Sequence, residues 1–228
     1  MRRKHDFITG SIYHVYNRGV RKSKIYNSPS DYKRWEELVF WSSKHNYPYS
    51  LYLSQIMQYR EKNHRIEAFN NRIETEYKYQ TPLINILAYV EMPNHFHLVI
   101  EQNVDMGIMT YMKKLQTAYA MYLNLKYDFS GSAFEGIYKS VPVISDAQLI
   151  QLIKYVLHNP IEAGLVSPRG ILTYQWSSIK NYLDKTNLRG ISKDRLPEEL
   201  FNSIKLVQFL QNSDQDFGQL GELAIDNI

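Results

Sequence analysis

His95 and His97 stand one residue apart in Glu91–Ile100, EMPNHFHLVI. Side chains of an extended strand alternate faces, so the two imidazoles point one way and Phe96 the other. Pro93-Asn94 reads as a turn, which puts the pair at the mouth of a strand whose far end, Leu98-Val99-Ile100, enters a core. Two imidazoles on one face can chelate a metal. They can equally share the polar face of a half-buried strand, and a His-x-His pattern matches too often by chance to choose between the two.

Tyr155 and Asn159 form a second spaced pair, four residues apart in IKYVLHNP, which sets them one turn apart on a helix face. His158, three residues from Tyr155, lies nearby. If strand and helix meet, two imidazoles, an amide oxygen and a phenol come together. Such a set, with positions left for water and phosphate, suits Mg²⁺ or Mn²⁺ better than a closed zinc site. A metal there would polarise a phosphodiester, and a phenolate oxygen could attack it to form a covalent intermediate. With 19 tyrosines in the chain, residue type alone nominates none of them. The place of Tyr155 on the helix, beside Asn159, is what singles it out.

The elements that must position these groups follow from periodicity. SIYHVYNRG (Ser11–Gly19) alternates apolar and polar residues and ends in a turn, a first strand. SPSDYKRWEELVFWSSKH opens on helix-capping residues and carries Tyr32, Trp35, Leu38, Val39 and Trp41 near helical spacing. A polar, weakly helical stretch covers about residues 50–80. INILAYVEM and HFHLVIEQ then form a hairpin, and DMGIMTYMKKLQTAYAMYLNLKY a long helix with Met109, Met112, Leu115, Tyr119 and Tyr122 on one stripe. GIYKSVPVI is a fourth strand. SDAQLIQLIKYVLHNP is a helix opened by Ser145-Asp146 and stopped by Pro160.

The order β-α-β-β-α-β followed by a helix predicts an α+β fold, a ferredoxin-like antiparallel sheet with two helices on one face. It makes the HFHLVI strand central and lets the last helix cover its far face. Residues 1–185 form the main domain, with the insertion at about 50–80. Residues 186–228 form a C-terminal extension, partly helical.

Bulk properties bound the function. The 228 residues are 44% hydrophobic and 22% charged, enough for a substantial core. No cysteine is present, which removes disulfides, thiolate metal sites and a cysteine nucleophile. The basic start MRRKHDFITG lacks the apolar region of a signal peptide, and no stretch approaches a membrane span, so the expectation is a cytoplasmic protein without membrane association. Net charge is +4, but residues 1–185 hold 23 Lys/Arg against 16 Asp/Glu, while the remainder holds 4 against 7. A basic body suits a polyanionic partner. Arg2, Arg3, Lys4, Arg21, Lys22 and Lys24 could track a DNA backbone, and Arg18 in the Asn-Arg-Gly turn could touch a phosphate; a solvated surface is the competing reading. Lys113, Lys114 and Lys139 are weaker candidates of the same kind. Tyr138 could stack on a base. Tyr119 and Tyr122 are rival nucleophiles whose stripe reads as core, and His14 reads as structural rather than catalytic.

MPNHFHLV, IKYVLHNPIEAGLV, YHVYNRG and YQWSS (Tyr174–Ser178), in this order-specific set, resemble the REP-associated tyrosine transposases. These are single-tyrosine HUH nucleases, relatives of the transposases of the simplest bacterial insertion sequences. The resemblance runs from about Ser11 to Leu183, interrupted by the polar insertion. It implies the HUH nuclease fold, His95 and His97 as metal ligands, Asn159 as the third ligand and Tyr155 as nucleophile. It also implies Mg²⁺ or Mn²⁺, a substrate of single-stranded or hairpin DNA at imperfect palindromes, and a monomer or homodimer. The reaction implied is cleavage through a 5′-phosphotyrosine that leaves a free 3′-hydroxyl able to rejoin strands. The alternative on the same fold is a non-catalytic protein that binds hairpin nucleic acid.

Overall fold

A computed structural model describes residues 6–183, 191–192 and 194–211. Four strands, β1 (Ile12–Arg18), β2 (Ile84–Met92), β3 (His95–Gln102) and β4 (Lys139–Pro142), form one antiparallel sheet in the order β2-β3-β1-β4. Helices α1 (Pro29–Lys44) and α4 (Gly107–Tyr127) follow β1 and β3, and α5 (Asp146–Glu162) follows β4. This is the expected ferredoxin-like arrangement, with β3 central. Both hairpin strands have the bounds read from the sequence, and β4 is shorter, four residues only.

One face of the sheet is aromatic and closed. Phe96, between the two histidines, points into it, with its ring 4.5 Å from Trp35 of α1. Trp35 in turn meets Tyr119 of α4 at 4.9 Å. The buried stripe of α4 is Ile108, Tyr111, Met112, Leu115, Tyr119 and Leu123, so it is rotated from the expected one: Met109 and Tyr122 sit at its margin. Tyr122 instead donates to Asp31 Oδ1. α1 begins as its capping residues predict, and Asp31 Oδ2 accepts from the Ser28 and Asn27 amides, the reciprocal half of a capping box. Tyr127 and Lys126 also bond to this fully buried carboxylate, whose pKa falls to about 2 because these donors outweigh the cost of burial.

Glu91 faces the same closed layer, opposite Phe96. It is buried, and among the described residues neither carboxylate oxygen has a partner, nor do Tyr26 Oη and Trp35 Nε1. Burial pushes its pKa well above the ordinary value, with Glu36 adding to the rise and Lys180 opposing it.

The opposite face is covered by α5, which packs on β2 and β3. α5 does not stop at Pro160 but runs to Glu162. Pro160 falls in the last turn, where the helix forfeits its N–H bond and the ring crowds the carbonyl four residues back without ending it. The stop is Gly164, whose positive φ of 66° lets Leu165 N donate back to the Pro160 carbonyl.

Beyond α5, the YQWSS stretch and α6 (Ile179–Leu183) line the outer edge of β2. The Glu91 amide donates to Trp176 O, Ser178 N donates to Tyr89 O, and Tyr174 and Tyr182 hydroxyls donate to Glu91 O and Leu87 O. An edge that would otherwise be open to strand pairing is thereby filled. α7 (Ser203–Gln211) packs on the outside of α5, with Lys154 Nζ 5.8 Å from the ring centroid of Phe209. The insertion forms α2 (Tyr49–Glu61), α3 (Glu67–Arg72) and a π turn, Ile73–Tyr77, gathered around Ile56, Phe69 and Ile73 beside the end of α1. Among the described residues, no helix is long and apolar enough to cross a membrane.

Candidate active site

The β2–β3 turn is anchored by the segment that follows β1. Gly19 N donates to Asn94 O at 2.8 Å, and the Ile25 and Tyr26 amides donate to Pro93 O. Position 19 must be glycine for space: a Cβ there would lie 2.2 Å from the Ser23 carbonyl oxygen. Between these anchors Arg21 and Lys22 both hold left-handed backbone, at φ of 55° and 60°. Non-glycine residues pay roughly 1–2 kcal/mol each for this conformation. The strained loop carries Arg21, Lys22 and Lys24 exposed beside the mouth of β3.

His95 and His97 share the face under α5, their ring centroids 5.1 Å apart and their planes nearly perpendicular. His95 Nδ1 pairs with Asn94 Oδ1 at 2.7 Å, and its ring also hydrogen-bonds the Asn159 side chain. Burial lowers the His95 pKa to about 4 against the opposing effect of Asn159, and the Arg18 charge lowers it further. His97 is buried completely, and its pKa falls well below the ordinary value through burial, with His14 and His95 adding to the fall. Both imidazoles are therefore neutral near pH 7, the form that ligates metals.

α5 brings the remaining groups. The Tyr155 ring meets His97 edge to face at a centroid distance of 5.7 Å and lies 6.2 Å from His14. Asn159 Nδ2 donates to the Tyr155 carbonyl at 2.8 Å, and the same side chain meets His95. The structure thus gathers His95, His97, Asn159 and Tyr155, as their spacing predicted. His97 Nε2 is buried with no partner among the described residues. An unpartnered ring nitrogen, a second imidazole and an amide oxygen fit a divalent cation. Among the described residues no group of three His, Cys, Asp or Glu could hold one, so an ion here would depend on Asn159, water and phosphate, the habit of Mg²⁺ or Mn²⁺.

Three residues of β1 complete the face. His14 bonds His97, Tyr16 stacks on His97 at 5.8 Å, and Arg18 lies opposite His95 in the strand pairing. Arg18 is also paired with Glu135. Tyr16 escaped the sequence reading, although its period-two spacing with His14 was the available signal. The rival tyrosines lie away from the histidines: Tyr119 donates to the Ile25 carbonyl, Tyr122 to Asp31, and both are on the closed side of the sheet. Lys114 is half-buried, donates to the His45 carbonyl and to Tyr79, and has its pKa lowered by burial to about 8. Lys139 lies over the Tyr16 ring, and Tyr138 is buried. Arg2, Arg3 and Lys4 fall outside the described residues.

Residues 49–159 match the family model described as "Transposase IS200 like". The chain resembles the IS200-like transposases. The matched range runs from the start of α2 to Asn159, so it holds both histidines and Tyr155 and leaves out β1. No curated protein matches the chain significantly. A solved structure of a REP-associated tyrosine transposase bound to a REP hairpin superimposes with a TM-score of 0.53 at 12% identity, over 81% of this chain and 86% of that one. At that identity the likeness shows a shared fold alone.

Proposed function

We propose that this chain is a metal-dependent nuclease and strand transferase that acts on single-stranded DNA beside hairpins through a phosphotyrosine at Tyr155. The observation that carries the reading is the packing of the Tyr155 ring against His97, one helical turn from the Asn159 amide that bonds His95. The attacking group and the candidate ligand set thus lie together under one helix.

In the reaction, Tyr155 Oη forms a bond to phosphorus as the bond to O3′ breaks. The product is a 5′-phosphotyrosine and a free 3′-hydroxyl, with the phenol proton passing to solvent and the departing oxygen gaining one. Attack by a 3′-hydroxyl reverses the step and rejoins strands without an external energy source. A cation held by His97 Nε2, His95 and Asn159 Oδ1 would supply positive charge for the phosphate oxygens. α5, clamped between the sheet and α7, holds the phenol in place, and such positioning supplies much of the rate. Arg21, Lys22 and Lys24 border the entrance and serve the DNA backbone, which gives salt-dependent affinity. The hairpin bound by the structural relative makes a hairpin the first substrate to try.

The test is incubation with end-labelled hairpin DNA carrying a single-stranded flank, with Mg²⁺ or Mn²⁺, followed by a denaturing gel. A covalent adduct supports the reading. Binding without an adduct supports the non-catalytic alternative, and absence of both rejects any role at DNA hairpins.

A further inference from the structure

His14 Nε2 lies 2.8 Å from His97 Nδ1, and both side chains are fully buried. The two rings are nearly parallel, at 20°, with centroids 5.0 Å apart. His97 is paired across the strands with Tyr16, so His14 reaches it along the diagonal between β1 and β3. One proton occupies this hydrogen bond, which leaves two arrangements for the neutral rings. If His14 donates, His97 accepts at Nδ1 and carries its proton on Nε2, where it cannot bind a metal. If His97 donates from Nδ1, its Nε2 lone pair is bare and the His14 proton sits on Nδ1; neither of these two outer nitrogens has a hydrogen-bond partner among the described residues.

We infer that His14 is a positioning residue that accepts the His97 Nδ1 proton and so presents His97 Nε2 to the metal. Either arrangement buries one N–H without an acceptor, His97 Nε2–H in the first and His14 Nδ1–H in the second, so a cation that takes the His97 Nε2 lone pair selects the ligating tautomer. The β1 backbone holds His14 in place, and the stacked Tyr16 ring keeps the His97 ring from turning. This inference rests on the metal-dependent reading above. It goes beyond that reading in assigning a role to a strand outside the range matched by the family model.

The test uses the full chain without DNA. Mn²⁺ affinity is measured by titration for wild type, His14→Leu, His14→Gln and His97→Ala, with the melting temperature of each. Glutamine keeps an acceptor oxygen and leucine does not. His14→Leu should weaken Mn²⁺ binding roughly 10–100-fold, the usual loss for an outer-shell partner of a metal-bound histidine; His14→Gln should recover most of it. Nitrogen-15 NMR of Mg²⁺-saturated wild type should place the His97 proton on Nδ1 and the His14 proton on Nδ1, with His14 Nε2 shifted as an acceptor, a readout that a merely structural His14 would not fix and that stands even if His14→Leu fails to fold. A proton on His97 Nε2, or a folded His14→Leu with wild-type affinity, overturns the inference. If His97→Ala binds Mn²⁺ as wild type does, the metal reading itself fails and the inference falls with it. If only the His14 variants are silent, the metal reading stands and the inference alone is lost.

Discussion

Tyr155→Phe is the substitution that separates chemistry from fold. Tyr155 is 5% exposed, and its ring makes the contacts to His97 and His14 that dock α5 on the sheet. Phenylalanine keeps those contacts and removes one oxygen, so the cost in stability should be about 1 kcal/mol. Alanine would remove the whole ring and cost about 3–5 kcal/mol; loss of activity would then say little. Removal of a covalent nucleophile commonly lowers turnover by more than about 10³-fold. The phenylalanine variant should therefore melt near wild type, bind hairpin DNA with similar affinity and form no adduct. The label belongs on the 3′ side of the cut, because the tyrosine retains the 5′-phosphate. Peptide mass spectrometry of the wild-type adduct should find the nucleotide on Tyr155. The competing phenol is Tyr16, 3% exposed and 5.8 Å from His97 on the same face. Nucleotide on Tyr16, with Tyr155→Phe still forming adduct, would refute the assignment and move the nucleophile from α5 to β1.

Replacing both His95 and His97 by alanine should abolish Mn²⁺ binding and cleavage but leave hairpin affinity nearly intact. Wild-type Mn²⁺ binding should also persist to about pH 5, because the His95 pKa is held near 4; a loss with its midpoint near 6.5 would show that the ligands are ordinary exposed histidines. Glu91→Gln should raise the melting temperature, and the gain should widen as pH rises from 5 to 8. The folded carboxyl holds a proton that the unfolded one releases above about pH 4.3, so wild-type stability falls as pH rises, and the glutamine variant escapes that loss. Asp31→Asn should cost about 2.5 kcal/mol at pH 7, from a pKa lowered from 3.8 to about 2 at about 1.4 kcal/mol per unit; wild type should lose this contribution as pH falls from 4 towards 2, and urea titration at pH 7 and pH 3 checks both. Replacing Arg21, Lys22 and Lys24 together by alanine should flatten the salt dependence of hairpin binding by up to about three counterions, and an unchanged slope would mean that the loop does not face the backbone.

Local rules decided much of this protein in advance. Alternation fixed both hairpin strands, because a side-chain period of two leaves no freedom once the Pro93-Asn94 turn is placed. The same parity put His95 and His97 together, and helical spacing put Tyr155 above Asn159. The capping residues before α1 read directly as a helix start, since their bonds are made within four residues.

What remained hidden depends on contacts made across long stretches of chain. The strand pairing that sets His14 against His97 joins residues 83 apart, so a histidine read as structural became part of the site only once β1 lay beside β3. Parity placed Glu91 with Phe96, yet only the packing of α1 and α4 made that face dry and left its carboxyl without a partner. The rotation of the α4 stripe has the same origin, because the sheet and Asp31 choose which residues turn inward. Pro160 misled for the opposite reason: it is a strong local stop signal, yet α5, packed on the sheet, runs past it to Glu162. The sequence by itself determined the element order and the four groups of the candidate site; the register of β1 on β3, the cover of α5 and the dryness of the two faces were settled only by tertiary structure, because burial is a property of what comes to lie opposite a residue and not of the residue's neighbours along the chain.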